Sequence, residues 1–206
     1  MKTIATLATC ALLIGCAQTM TIDSSEFGEQ KANLTIEAPD LAGYTAIPLI
    51  SSKVVNVSLS KFAGCQSGSN LASKQPTIGK ATLTPSSVQQ SVAIPAGMEI
   101  AVRAESQENA AGNLFTCGMA ARFLSTTNAK YVLRVKPHRT FGRASCEMEV
   151  LVEADDKELP ETSANYAFRE NQGFWKGDDL NLCKSANSAS ANSASAGDRG
   201  IEKGPN

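Results

Sequence analysis

The strongest constraint on the fold is a period of two that returns along most of the chain. "MEIAVRAE" sets Met98, Ile100 and Val102 on one face and Glu99, Arg103 and Glu105 largely on the other. "YVLRVK" sets Tyr131, Leu133 and Val135 against Arg134 and Lys136, and "CEMEVLVE" sets Cys146, Met148, Val150 and Val152 against Glu147, Glu149 and Glu153. Alternation buries one face of an extended chain and wets the other, whereas a helix would scatter the same residues around its axis. Similar runs start at Ala32, Lys53, Ile78, Val88 and Leu114, with turn-rich stretches at Pro95, Glu108, Ser125 and Pro137 between strands. No ten-residue segment carries a helical apolar stripe. Short strands with regular breaks predict an all-β chain, an antiparallel sandwich with a β-barrel as the alternative.

Short loops between consecutive strands predict a meander. Setting Phe123 opposite Tyr131, and Tyr131 opposite Val150, aligns the apolar faces of three strands and brings Arg134 opposite Glu147. A slip of one residue would expose every apolar side chain of a strand. Four cysteines, Cys65, Cys117, Cys146 and Cys183, lie in this body and allow three pairings. The meander puts Cys117 and Cys146 on either side of one strand, about 9.5 Å apart. A bridge needs Cα atoms within about 7 Å, so that pair is disfavoured. Cys65–Cys117 with Cys146–Cys183 encloses the shorter loops and is the expected pairing. The second bridge would pin "FWKGDDLNLC" to the sheet.

The first residues have the layout of a secretory signal: Lys2 is the only charge before Asp23, and an apolar run covers 3–14. Twelve helical residues rise about 18 Å, short of a ~30 Å hydrocarbon core, so a permanent span is not expected. The run ends in Leu13-Ile14-Gly15-Cys16, which resembles the lipobox of bacterial lipoproteins. The resemblance covers sixteen residues. It implies acylation of the Cys16 thiol, cleavage after Gly15 and an envelope location where thiols oxidise. Ala17 after the cysteine implies release to the outer membrane, with the body facing the periplasm. Two or three acyl chains anchor a protein stably. The expected organisation is a signal at 1–15, a tether at 16–30, a sandwich at 31–184 and a disordered tail at 185–206. In that tail Ala-Asn-Ser-Ala-Ser occurs twice, and almost no apolar residue is available to support ordering.

Chemistry is sparse. His138 is the only histidine, and it sits in "KPHRTFGR" with Lys136, Arg139 and Arg143. A triad would need it oriented by a carboxylate and bonded to a nucleophile, and no nucleophile elbow accompanies it. The four residues read as a solvated basic turn, with a small rim for an anionic group, a lipid phosphate or an acidic glycan, as the sharper alternative. The acidic stretch 153–161 lacks the ligand alternation of a calcium loop and reads as a charged connection. Tyr166, Phe168, Phe174 and Trp175 concentrate four aromatics in one stretch, read as a plug for one end of the core. The Gly- and Ser-rich segment 62–76 is the expected recognition loop. A metal site and a cofactor are not expected, since no two body cysteines lie closer than 29 residues. A formal net charge of −1, close to −2 once Lys2 is lost, argues against a nucleic-acid partner.

The body also resembles the sandwich-type lipoproteins of Gram-negative bacteria through Ile94-Pro95-Ala96-Gly97, Thr116-Cys117-Gly118 and the paired strands from Tyr131 to Glu149. Such a resemblance implies no activity. The expected function is a non-catalytic, membrane-anchored module that binds an envelope protein or glycan or supports an envelope assembly. The rival expectations are a hydrolase of envelope polymers, which needs paired acids in a cleft, and an inhibitor of a host or competitor enzyme.

Overall fold

The computed structural model of the chain describes residues 21–22, 30–45, 47, 51–65, 75–140, 143–169 and 180–183. Cys16, most of the expected tether, residues 66–74, Phe174, Trp175 and the tail lie outside the described residues. The strands are β1 (Thr21–Ile22), β2 (Lys31–Glu37), β3 (Ser51–Lys61), β4 (Thr77–Leu83), β5 (Gln89–Pro95), β6 (Glu99–Ala110), β7 (Asn113–Leu124), β8 (Lys130–Thr140), β9 (Arg143–Ala154), β10 (Lys157–Pro160) and β11 (Asn165–Arg169). They form two sheets, ordered β1-β4-β3-β6-β7-β11 (sheet A) and β10-β9-β8-β2-β5 (sheet B). The sandwich is open rather than closed into a barrel, and every pairing is antiparallel except β2 with β8.

The alternation read from sequence becomes the core. Val55, Val57 and Leu59 of β3, Ile100 and Val102 of β6, and Met119, Ala121 and Phe123 of β7 meet Leu34 and Ile36 of β2, Leu133 and Val135 of β8, and Met148 and Val150 of β9. Two hairpins explain their own sequences. Ala111 and Gly112 between β6 and β7, and Asp155 and Asp156 between β9 and β10, all take positive φ. That is the backbone of a two-residue turn matched to strand twist. The acidic connection at 153–161 is therefore a hairpin, and β10 is a strand the alternation did not show.

The meander fails at one point. β7 does not pair with β8; it lies between β6 and β11, while β8 lies between β2 and β9. The connection from Ser125 to Ala129 instead carries the chain from sheet A to sheet B, a step of about 10 Å that five residues span easily. Hydrogen bonds hold this crossing. The buried Ser125 hydroxyl lies 2.7 Å from the Pro95 carbonyl and 2.9 Å from that of Met98, on the neighbouring β5–β6 crossing. The Tyr131 hydroxyl accepts from Thr126 N at 3.0 Å and donates to the Leu124 carbonyl at 3.2 Å. The β8–β9 register is also two residues from the expected one, with Tyr131 opposite Val152 and Arg134 opposite Glu149. An even shift keeps every side chain on its face, which is why the inward and outward sets are unchanged.

Placing β7 and β8 in different sheets reverses the disulfide expectation. Cys117 and Cys146 face each other across the sandwich with Cα atoms 5.9 Å apart and are bonded. Sheets stack about 10 Å apart elsewhere, so β7 and β9 converge here. Cys65 pairs with Cys183, Cα atoms 5.6 Å apart. This bridge does pin the last described segment: Leu180 and Leu182 bury themselves on the outer face of sheet A against Phe62, Ala101 and Ala120. Gly118 lies beneath them, where an added Cβ would sit 3.8 Å from Leu180 Cδ1. Thr21 and Ile22, within the expected tether, pair with Lys80 and Gly79 of β4, and Ile22 packs against the core.

Candidate functional site

Three residues of the expected rim in "KPHRTFGR", Lys136, His138 and Arg139, do not share one face. They extend β8, so alternation sends Lys136 and His138 to the outer face of sheet B and Arg139 inward. Lys136 Nζ donates to Glu149 Oε2 at 3.1 Å, and His138 Nε2 lies 3.6 Å from Glu147 Oε2. Arg143 pairs with Thr140 in the ladder, and its side chain lies outside the described atoms. The same outer face holds Arg134 between Glu158 and Glu37. Donating to the Glu158 carboxylate, and then to that of Glu37, raises the Arg134 pKa against the opposing effect of burial.

Arg139 belongs to a different cluster, between the sheets at the end where β3 begins. Glu108 of β6, nearly buried, receives Arg139 NH1 at 2.9 Å on one carboxylate oxygen and faces Lys53 Nζ at 3.7 Å with the other. Lys53 also donates to the Pro137 carbonyl at 3.4 Å. The Arg139 guanidinium stacks 4.1 Å from the centre of the Phe115 ring. One acid satisfying two cations ties β3, β6 and β8 together at this end. Tyr166, the member of the expected aromatic plug whose side chain is described, closes the β11 side: it packs on the core, and its hydroxyl accepts from Val150 N at 3.0 Å. Burial raises its pKa, partly offset by that hydrogen bond.

The described residues contain a groove that composition did not reveal, on the outer face of sheet A. Its floor is β3, where the outward positions are Asn56, Ser58 and Ser60. Its walls are longer: Lys80 and Thr82 from β4, Arg103 and Glu105 from β6. Short side chains on a central strand between long ones on its neighbours make a trench of about 380 Å³. Thr77 lines it at the end where β3 finishes and β4 begins, the strands that segment 62–76 joins. Residues 66–74 of that expected recognition loop lie outside the described residues.

The groove's polar groups are ordered. Arg103 NH2 lies 3.6 Å from Glu105 Oε2, and Gln107 Nε2 donates to Glu105 Oε1 at 2.9 Å. Thr82 Oγ1 donates to Asn56 Oδ1 at 2.9 Å. Lys80 is exposed on the opposite wall. Among the described residues the result is a surface of hydroxyls, an amide and two cations around a single carboxylate, without an aromatic platform. A ligand is met by hydrogen bonds and charge rather than by stacking. The signal was present in the sequence as "NVSLS" at 56–60, within the strand-like run from Lys53; seeing the trench also required knowing which strands flank β3.

No group of three or more histidine, cysteine, aspartate or glutamate side chains among the described residues could hold a metal ion. Among them, no helix is long and apolar enough to cross a membrane. Comparison with protein-family models, curated proteins and solved structures finds no match.

Proposed function

We propose that this chain is a lipid-anchored, non-catalytic binding module of the bacterial envelope, held at the outer membrane through Cys16, and that the groove on sheet A is its binding face. The groove itself carries the reading. Its volume falls in the range of about 300–1,000 Å³ typical of ligand sites, and it offers hydrogen-bonding groups on three sides with Lys80 and Arg103 as charged walls. Such a trench suits an extended polar partner, a glycan strand or a peptide lying along β3. Cleavage of a glycan by paired carboxyl groups would need a second acid about 5–9 Å from the first. Among the described residues Glu105 is the only acid lining the groove, and Arg103 and Gln107 face its two oxygens.

The test is affinity capture from envelope extract with the mature chain and with Ser58→Tyr, which fills the trench floor from a solvent-facing strand position. One stoichiometric partner retained by the parent and lost by Ser58→Tyr supports the reading. Envelope polymer broken down by the purified chain, with no partner retained, overturns it.

A further inference from the structure

The direction of β1 limits how the sandwich can sit on a bilayer. β1 and β3 are both antiparallel to β4, so they run the same way. Thr21 pairs with Lys80, which pairs with Ser58. The chain therefore reaches Thr21 from the side where β3 begins, at Ser51 opposite Ala110. Cys16 lies five residues before Thr21, a reach of at most about 17 Å. From Ser58 down to Ser51 is seven residues, about 23 Å of strand. With the strands upright, the tether is shorter than the part of the domain below it.

That end also has the surface a bilayer takes. Leu114, just past the β6–β7 turn, is 64% exposed, and Ile47, hydrogen-bonded to Ser51 through both backbone and side chain, is 51% exposed. Beside them Phe115 lies under the Arg139 guanidinium, and Tyr44 lies 5.8 Å from Lys53 Nζ. Aliphatic tips beside aromatic rings and the 40% exposed Arg139 guanidinium match the layering of an interface, from acyl chains through carbonyls to phosphates.

We infer that the Ser51/Ala110 end rests on an anionic bilayer, with Leu114 and Ile47 among the outer acyl segments and Arg139 at the headgroups. The difference between strand length and tether, about 6 Å, equals a shallow interfacial insertion of ~5–10 Å. The Ser60 end of the groove then points away from the membrane. This orientation rests on acylation of Cys16.

The experiment uses the mature chain in phosphatidylethanolamine–phosphatidylglycerol vesicles with brominated acyl chains. In a Trp175→Phe background, single tryptophans replace Leu114, Ile47 or, at the opposite end, the exposed Leu124. Bromine should quench Leu114→Trp and Ile47→Trp about two-fold and leave Leu124→Trp unchanged. Equal quenching at all three positions, or at Leu124→Trp alone, overturns the orientation. Hydrogen exchange of the unsubstituted chain, with and without vesicles, repeats the contrast without any variant: slowing at 111–114 but not at 125–128 supports the orientation, and the reverse or no difference overturns it. Intact mass separates the two readings. A chain retaining Met1 and no acyl group overturns anchoring and orientation together, whereas an acylated chain with Leu114→Trp unquenched overturns the orientation alone.

Discussion

Replacing Cys65 and Cys183 together by serine tests both the connectivity and the role of the last described segment. The bridge closes 118 residues, but the Cys117–Cys146 bridge short-cuts 29 of them, leaving a ring of about 90. Loop-closure entropy for such a ring is worth about 4.6 kcal/mol. The folded state changes as well. Burial of Leu180 and Leu182 contributes about 3–6 kcal/mol together, while ordering the four residues 180–183 costs about 4–8 kcal/mol. Without the bridge those terms nearly cancel, so the segment should detach while the sandwich remains. The expected result is a loss of about 3–5 kcal/mol in urea unfolding, which for a domain of this size lowers Tm by roughly 10–15 °C. Amide protection should vanish at 180–183 and persist in β3, β6 and β8. Non-reducing peptide maps of the parent should join Cys65 to Cys183 and Cys117 to Cys146. A map joining Cys65 to Cys117, or a loss below about 1 kcal/mol with protection at 180–183 intact, would refute the reasoning.

Two further outcomes follow from buried polar groups. Glu108→Ala strands Lys53, whose side chain is 11% exposed, and should cost about 3 kcal/mol by chemical denaturation, near the lower end for a broken buried pair because Arg139 is 40% exposed and can rehydrate. The double change Lys53→Met with Glu108→Leu should recover part of that loss; if it is as unstable as the single variant, the cluster is not held by charge. Tyr166, with its pKa raised by burial, favours the folded state fully below the unfolded value near ~10, and that contribution is lost as pH rises through the folded pKa. Tyr166→Phe should therefore lose about 1 kcal/mol at neutral pH, where the hydrogen bond from Val150 N is removed, yet show a shallower stability decline at alkaline pH. Parallel alkaline declines for the two proteins would show that Tyr166 does not titrate with unfolding.

Local sequence determined the class of the fold and the two faces of its main strands, because a period of two needs only neighbouring residues to be seen. It also located the β6–β7 turn. It could not show that Ser125 carries β7 and β8 into different sheets. A five-residue connection serves a hairpin or a crossing equally well, and the hydrogen bonds that decide run from Ser125 to the carbonyls of Pro95 and Met98, distant in sequence. The error in the cysteine pairing follows from that one step, since Cys117 and Cys146 are kept apart in a meander and brought together across a sandwich. The same strand alternation, applied through "KPHRTFGR", separates residues that adjacency in sequence had grouped into a rim. The groove is the plainest case of what only tertiary structure decides: "NVSLS" carries its floor, but a floor becomes a trench only when β4 and β6 stand on either side.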